Sequence, residues 1–581
     1  MSRWKGALRG VWGFFAPRYT PGAMSTNLVS ATITTVTVVI SCLIFGPQLG
    51  MISLMGAMTP VWETGRPFWA RVRNSVLVSA GLTTSMAVGV LVAPYGWAII
   101  PASVLTILVI SLIYYTFVLT RGPSPVMMFY AAILGTYFGA EGSVGWSMVG
   151  VTAFASVVAS TLLLIPLLFG VRRPEQRAVE AARRAVADYC GITGVDAEEA
   201  LRQARNVAFQ AVNGAGLTLE SAWPADRGHR YEALIAELKD IDQKLAQTVI
   251  ANSGGDVDNR PLSGKTPELT HRPSWGLLLS HSLRGDSVEW FTSWRMAVAA
   301  GLAGIVSELM GIGHPYWAIL TATIVINQWI GRRSATRRAG QRTVGTVLGV
   351  GVVWGISAFQ PSPWWIVVAV LICAIGQYLV LPLNYALALT LITPMALLAV
   401  EAGGAGGTVA TLSFDRLIDT LIGAGAAVAV TWATSWHSPR RLVRSQSARS
   451  AAAIDAVEYL DEHDGPRSIG GRRARAELQY ELIHHLSILE RAVADDPRLA
   501  SLAAAEHAVA DRGYAALARG WLAVRSSHGR GRSASAASLG SEPAGGVCGS
   551  LLQAFGQRPA GEQVQSLLRR GSWLHGVREK G

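Results

Sequence analysis

Asp415, Arg416 and Asp419 stand together in Ser413-Phe-Asp-Arg-Leu-Ile-Asp-Thr420, inside an otherwise apolar run. On a helix Asp415 and Asp419 share a face, and Arg416 neighbours Asp419. Two carboxylates at one site push one pKa upward, while a guanidinium beside them favours the ionised form. That competition suits a group that binds and releases a proton; a static salt bridge between helices uses the same residues. Glu308 lies in the same apolar block and is a fourth candidate for proton coupling. Arg342 sits in Arg338-Ala-Gly-Gln341-Arg342-Thr-Val-Gly345-Thr346-Val-Leu-Gly349. An arginine where a loop passes into a helix can hold a carboxylate by two parallel hydrogen bonds, with Gln341 beside it, or it can anchor the interface. Gly345, Gly349 and the later Gly423 read as sites of close helix packing. Tyr316 and Trp317, in His314-Pro-Tyr-Trp317, offer an aromatic surface, although aromatic residues also belong at membrane interfaces. Asn384-Tyr385 and Thr390-Leu-Ile-Thr393-Pro394 place polar groups and a kink in a helix that lines a cavity or hydrogen-bonds its neighbours.

Other chemistry is missing. Ser263-Gly-Lys-Thr266 resembles the end of a phosphate-binding loop, but Asn259 stands where the first glycine is required and the segment is Pro-rich. Cys42, Cys190, Cys373 and Cys548 are far apart and form no C-x-x-C pair, so neither a disulfide scaffold nor a zinc ribbon is indicated. His484-His485 lies outside any H-E-x-x-H pattern and reads as exposed helix positions. No enzyme, metal or cofactor is expected. Any pumping must draw on an ion gradient or on the substrate's own gradient.

The elements that position these residues follow from composition. Of 581 residues, 50% are hydrophobic and 15% charged, yet the formal net charge is +12. Soluble proteins carry about 25% charged residues, so a single water-soluble globule is excluded. The charge must be segregated. Residues 26–170 and 291–435 hold the long apolar runs, and each block divides into six stretches of spanning length. The first six are 26–46, 47–62, 74–93, 97–119, 124–140 and 144–170. The second six are 291–312, 315–331, 342–360, 363–381, 382–400 and 410–435. The spans at 47–62 and 124–140 are short enough for half-helices. Lys and Arg mark cytoplasmic loops. With the N-terminus inside, every turn placed outside lacks both, and every inside segment except the 381–382 junction carries them. The positive charge is therefore topological, and a nucleic-acid partner is not expected. The first span lacks a small-residue cleavage site and reads as retained.

The two blocks are equal in length and punctuated alike, which predicts a duplicated all-α membrane protein of about twelve helices. The remainder divides into a basic cytoplasmic N-terminus (1–25), a helical cytoplasmic insert (171–290, loose at 253–274) and a helical cytoplasmic tail (436–581). The tail reads as disordered after 526, with a short amphipathic helix near 549–569. The blocks differ chemically: where the second has Asp415 to Asp419, the first reads Gly145-Trp-Ser-Met-Val-Gly-Val151.

The order of the pieces in the second block resembles the fusaric acid resistance protein-like family of membrane transporters, which includes aromatic carboxylic acid exporters. The matching pieces are His314-Pro-Tyr-Trp317, Arg338 to Gly349, Asn384-Tyr385 with Thr390, and Arg416-x-x-Asp419-Thr420-x-x-Gly423. The resemblance implies a multi-pass protein of a bacterial inner membrane, with both termini cytoplasmic, that exports small aromatic or other organic acids by a gradient. The first block matches the pattern weakly and lacks the Arg-x-x-Asp-Thr element, which argues against two equivalent sites.

The expected function is export of monovalent organic acids. The substrate carboxylate would meet Arg342 or Arg416, its ring would pack near Tyr316 and Trp317, and Asp419 would carry the proton. The alternatives are a passive organic-anion channel and a membrane scaffold whose cytoplasmic helices recruit partners. The substrate and the lipid bilayer are the expected partners, and a homo-oligomer stays open.

Overall fold

The computed structural model describes residues 23–526 apart from 63–65, 118–124, 141–144, 169–172, 193–197, 223–231, 254–274, 328–330, 403–407, 436–437 and 466–467. The basic N-terminus, most of the loose insert segment and the expected helix near 549–569 lie outside the described residues. All described elements are helices. In the first block these are α1 (Ala23–Ile52), α2 (Leu54–Ala57), α3 (Phe68–Val92), α4 (Ile99–Phe117), α5 (Val126–Ala140) and α6 (Ser147–Leu168). The first extramembrane helices are α7 (Arg173–Gly191), α8 (Glu198–Glu220), α9 (Glu232–Asn252) and α10 (Trp275–Ser282). The second block holds α11 (Val288–Leu309), α12 (Pro315–Ile326), α13 (Arg332–Ser357), α14 (Pro363–Val380), α15 (Tyr385–Ala402) and α16 (Val409–Thr434). The chain continues through α17 (Ser438–His463), α18 (Ile469–Asp495) and α19 (Ala500–Ser526).

Among the described residues, six helices are long and apolar enough to cross a bilayer: 26–52, 68–92, 96–117, 147–166, 363–380 and 409–434. Shorter apolar helices cover 126–139, 315–326 and 385–401. The stretch expected as a second span is broken. Gly46 adopts φ +80°, which a residue with a side chain rarely tolerates, and Pro47 follows it. The chain then passes through the single-turn α2 and a 3-10 turn at Thr59–Trp62, both buried. Irregular backbone at membrane depth is tolerated where protein surrounds it or where it lines a cavity, and here it does both.

Helix pairing runs in parallel in the two blocks. α3 packs on α5 and α6, as α13 packs on α15 and α16; α1 and α2 pack on α6, as α11 and α12 pack on α16. Across the blocks α1 lies on α14 and α11 lies on α4. Small residues set these crossings. A Cβ on Gly345 would stand 2.5 Å from Leu389 Cβ and 2.7 Å from Ala386 O; one on Gly349 would stand 2.6 Å from Thr393 Cβ; one on Gly423 would stand 2.7 Å from Thr321 Cβ. Van der Waals contact and close backbone approach drive association in lipid, so a bulkier side chain at these positions pushes the helices apart.

The insert and tail, read as separate pieces in the sequence, form one bundle. Phe209, Val212, Leu238 and Leu245 share a core with Ile454, Leu478, Leu482, Tyr514 and Leu517, and Phe209 stacks on Tyr514. The expectation that His484 and His485 are exposed is corrected. His485 is buried and its Nε2 lies 3.1 Å from the Glu506 carbonyl, while His484 is half-buried against the Tyr480 ring. Their periodicity places them on the face of α18 that packs inward.

Candidate functional site

A cavity of about 260 Å³ lies where the two blocks meet. The first block contributes Met51, Leu54, Met55 and Met58 from the irregular segment, and Met127, Tyr130, Leu134 and Phe138 from α5. The second contributes Trp317, Asn327, Arg338, Arg342, Gln377, Tyr385, Leu389 and Met395 among others. Most of this wall is apolar, and both charged side chains on it are arginines of α13. Methionines, concentrated in the first block, and aromatic rings from both blocks give a surface that adapts to an apolar body.

Arg342 is 1% exposed. Its Nε donates to Thr321 Oγ1 at 3.2 Å. The hydroxyls of Tyr130 and Tyr385 lie close to its guanidinium without completing a hydrogen bond in this conformation. Arg338 Nη1 donates to the Asn327 carbonyl at 2.8 Å, and Asn327 Oδ1 accepts from Tyr115 Oη of the first block at 2.6 Å. Burying a guanidinium with no carboxylate beside it among the described residues is costly, so the place of Arg342 on the cavity wall makes it a functional candidate.

Behind the cavity wall lies a second group of ionisable residues. Arg416 is 1% exposed and its guanidinium carbon sits 3.9 Å over the Trp317 ring, a cation–π contact. Tyr130 faces both Arg416 and Arg342. Asp419 is fully buried, and its Oδ1 accepts from Ser307 Oγ of α11 at 2.7 Å; its Oδ2 completes no hydrogen bond among the described residues. One turn away, Asp415 Oδ2 lies 2.6 Å from His314 Nδ1, in the turn between α11 and α12. The His314 ring contacts Tyr137 and Tyr316.

The candidates named from sequence thus fall into separate places. Arg342 and Trp317 line the cavity, and Asp415, Arg416 and Asp419 form the group behind it. Tyr316 is buried against Tyr137 rather than on the cavity wall, with ring centroids 4.8 Å apart. Gln341 is buried off the wall. Glu308 is exposed, and its neighbour Ser307 makes the contact with Asp419 instead. Asn384 turns its Oδ1 to the backbone N–H groups of Ala386 and Leu387 at 2.8 and 3.2 Å. That is the geometry of a helix cap, so its oxygen serves α15 and the adjacent Tyr385 faces the cavity. Sequence reasoning missed Tyr130, Ser307 and the pairing of His314 with Asp415. A histidine in a Gly-Pro turn was the available signal for the last; Tyr130 and Ser307 gave none.

The extramembrane bundle reaches this region through two helices. The Asp495 carboxylate accepts from the backbone N–H of Arg332 and of Arg333, both at 3.2 Å, and so caps α13. Negative charge is favourable at a helix N-terminus. Beside α11, His281 lies 3.6 Å from both Glu289 and Glu481, which is ion-pair rather than hydrogen-bond distance. Gln446 Nε2 donates to Glu481 Oε2 at 2.6 Å, and Arg449 stands 3.9 Å from the same oxygen. Burial pushes the His281 pKa down, but the two carboxylates outweigh it and raise it to about 9. Burial pushes Glu481 up, and His281, His484 and Arg449 outweigh that and hold it below its ordinary value.

Residues 302–430 match the family described as fusaric acid resistance protein-like. The inner membrane protein YccS of Escherichia coli (strain K12) is 30% identical over 234 residues, 39% of this chain and 30% of that protein. The membrane protein YvaC of Bacillus subtilis (strain 168) is 23% identical over 427 residues, 64% of this chain and 67% of the relative. The Escherichia coli protein YhfK is 26% identical over 195 residues, 33% of this chain and 27% of its own length. The aligned part thus spans under a third of YccS and of YhfK. No solved structure matches the chain. The apolar helices and these relatives together make it a multi-pass membrane protein.

Proposed function

We propose, from the fusaric acid resistance protein-like domain at residues 302–430, that this chain exports small organic acids, aromatic carboxylates foremost, from the cytoplasm of a bacterial cell. The observation that carries the reading is the cavity between the blocks, apolar over most of its wall and bearing Arg338 and Arg342. A carboxylate meets Arg342, and the organic body packs on Trp317, Tyr385 and the methionines of the first block. The parallel helix pairings support two related halves that rock about this cavity. In the orientation given by the basic loops, the bundle is cytoplasmic and His314 and Asp415 lie toward the outside. Asp419 carries the coupled proton, its charge balanced against Arg416 and Asp415.

The test is uptake into inverted membrane vesicles with a panel of aromatic carboxylates, with and without a proton gradient. Gradient-dependent uptake of at least one is expected. Asp419→Asn should abolish the gradient dependence while leaving the protein folded and inserted; undiminished proton-driven uptake in that variant overturns the coupling role. Large currents without proton coupling in electrical recordings would assign a passive anion channel instead.

A further inference from the structure

Asp419 is fully buried, so a proton from outside needs a group that meets water and can pass it inward. The pair behind the α11–α12 turn has that placement. The turn itself is open: Gly311, with φ +69°, and Gly313 are exposed. His314 and Asp415 keep 14% and 22% of their side chains exposed. Asp415 and Asp419 lie one turn apart on one face of α16, with Cβ atoms about 5–6 Å apart, and their charges act on each other. Among the described residues, three elements make hydrogen-bond or ring contact with His314. α16 presents Asp415, α5 presents Tyr137 and α12 presents Tyr316. Arg416 sits deeper, over Trp317, and Glu308 on α11 points to the exterior. The carboxylate of Asp415 is therefore the one negative group against His314 among the described residues.

We infer that His314 and Asp415 form the outer proton port of the transporter, which hands a proton from external water to Asp419. This rests on the proton-coupled export proposed above. The transfer balances as follows. The neutral ring, with its proton on Nδ1, takes a second proton from hydronium at Nε2 and gives the Nδ1 proton to Asp415 Oδ2, which leaves the neutral Nε2–H tautomer. The Asp415 carboxylic acid then passes that proton to the Asp419 carboxylate one turn deeper and is itself ionised again. Exchange of the ring protons with water restores the Nδ1–H form for the next transfer. Histidine suits this position because imidazole can accept a proton at one ring nitrogen while it donates one from the other. Tyr137 and Tyr316 wall the ring so that the exchange is directed along α16.

The test uses full-length protein in liposomes and the aromatic carboxylate that the wild type transports best. Gradient-driven transport and substrate counterflow, which moves no net proton, are measured for the wild type, His314→Gln and Asp415→Asn. For His314→Gln, counterflow within twofold of the wild type, with gradient-driven transport lowered on the order of a hundredfold and its dependence on external pH lost, is the expected result; Asp415→Asn should lose the gradient dependence as well. Gradient-driven transport of His314→Gln that keeps the wild-type rate and pH profile overturns the port and leaves the exporter reading standing. Transport by the wild type without any proton dependence overturns both. Loss of counterflow together with gradient-driven transport in both variants also counts against the port, since it assigns the pair to folding.

Discussion

The two membrane blocks use the same helix pairings for different work. In the first, Arg71 of α3 is buried and spoken for: its Nε donates to the Arg66 carbonyl at 2.8 Å and its Nη1 to the Leu163 carbonyl at 3.4 Å. In the second, Arg342 of α13 has one hydroxyl partner and a place on the cavity wall. Where α16 carries Arg416 and Asp419, α6 carries the buried Thr152 and Ser156, packed against Gly56. The first block supplies adaptable apolar wall and the Tyr130 hydroxyl, and the second supplies charge. Parallel helix pairings therefore do not bring parallel chemistry: one helix set is held to packing while the other carries the buried ionisable residues.

The strongest way to break this contrast is to remove each of the two arginines in turn. Arg342→Gln removes a charge-assisted hydrogen bond of about 1.5–3 kcal/mol, on the order of ten- to a hundredfold in kcat/KM for carboxylate transport. Arg71→Gln should leave KM unchanged and lower thermal stability in detergent. Equal effects on KM from the two variants would show that both blocks bind substrate. A smaller effect sharpens the first block's share. Tyr130→Phe keeps the wall and deletes the hydroxyl facing both guanidinium groups, so kcat/KM should fall about fivefold, the size of an ordinary hydrogen bond near 1 kcal/mol. No change would confine the first block to packing.

The smallest effect concerns anchorage, since α11 of the second block is fixed to the bundle through His281. Its folded pKa of about 9 stands above the ordinary 6.5, so the protonated form is the one favoured by folding. The contribution is complete below about pH 6.5 and is lost as pH rises through about 9. Melting of the purified protein should therefore shift downward between those values, and His281→Gln should flatten that part of the curve. An unchanged slope would mean that His281 is neutral in the folded protein.

Much of the architecture was legible because hydrocarbon is an unforgiving solvent. The break at Gly46-Pro47 marks a kink and Arg332 a helix start. Yet the segment 332–341, expected as a loop, forms the first turns of α13, so Arg342 lies inside the helix rather than at its entry. Arg342, Asp415, Arg416 and Asp419 were legible for the same reason: an ionisable residue in an apolar run is conspicuous. What stayed hidden depends on contacts between distant segments. His314 meets Asp415 across 101 positions, and Ser307 meets Asp419 across 112. Nothing in a lone serine or tyrosine announces such a partner. Asn384 misled because an asparagine that caps a helix and one that faces a ligand look alike in sequence. The merging of insert and tail into one bundle was likewise invisible, since an amphipathic face says that a helix packs but not on what.

Asp495 gives the last of these contacts a wider meaning. A carboxylate at the end of α18 holds the first two N–H groups of the helix that carries Arg342. Such a link works in both directions, because coupling free energy is reciprocal. On the proposed reading, a carboxylate bound at Arg342 would bear on the bundle through this cap, and a change in the bundle would bear on α13. The cap therefore places the end of α18 in direct contact with the helix that carries Arg342. Hydrogen exchange at α18 would register a carboxylate bound at Arg342, some ten residues along α13 from the cap.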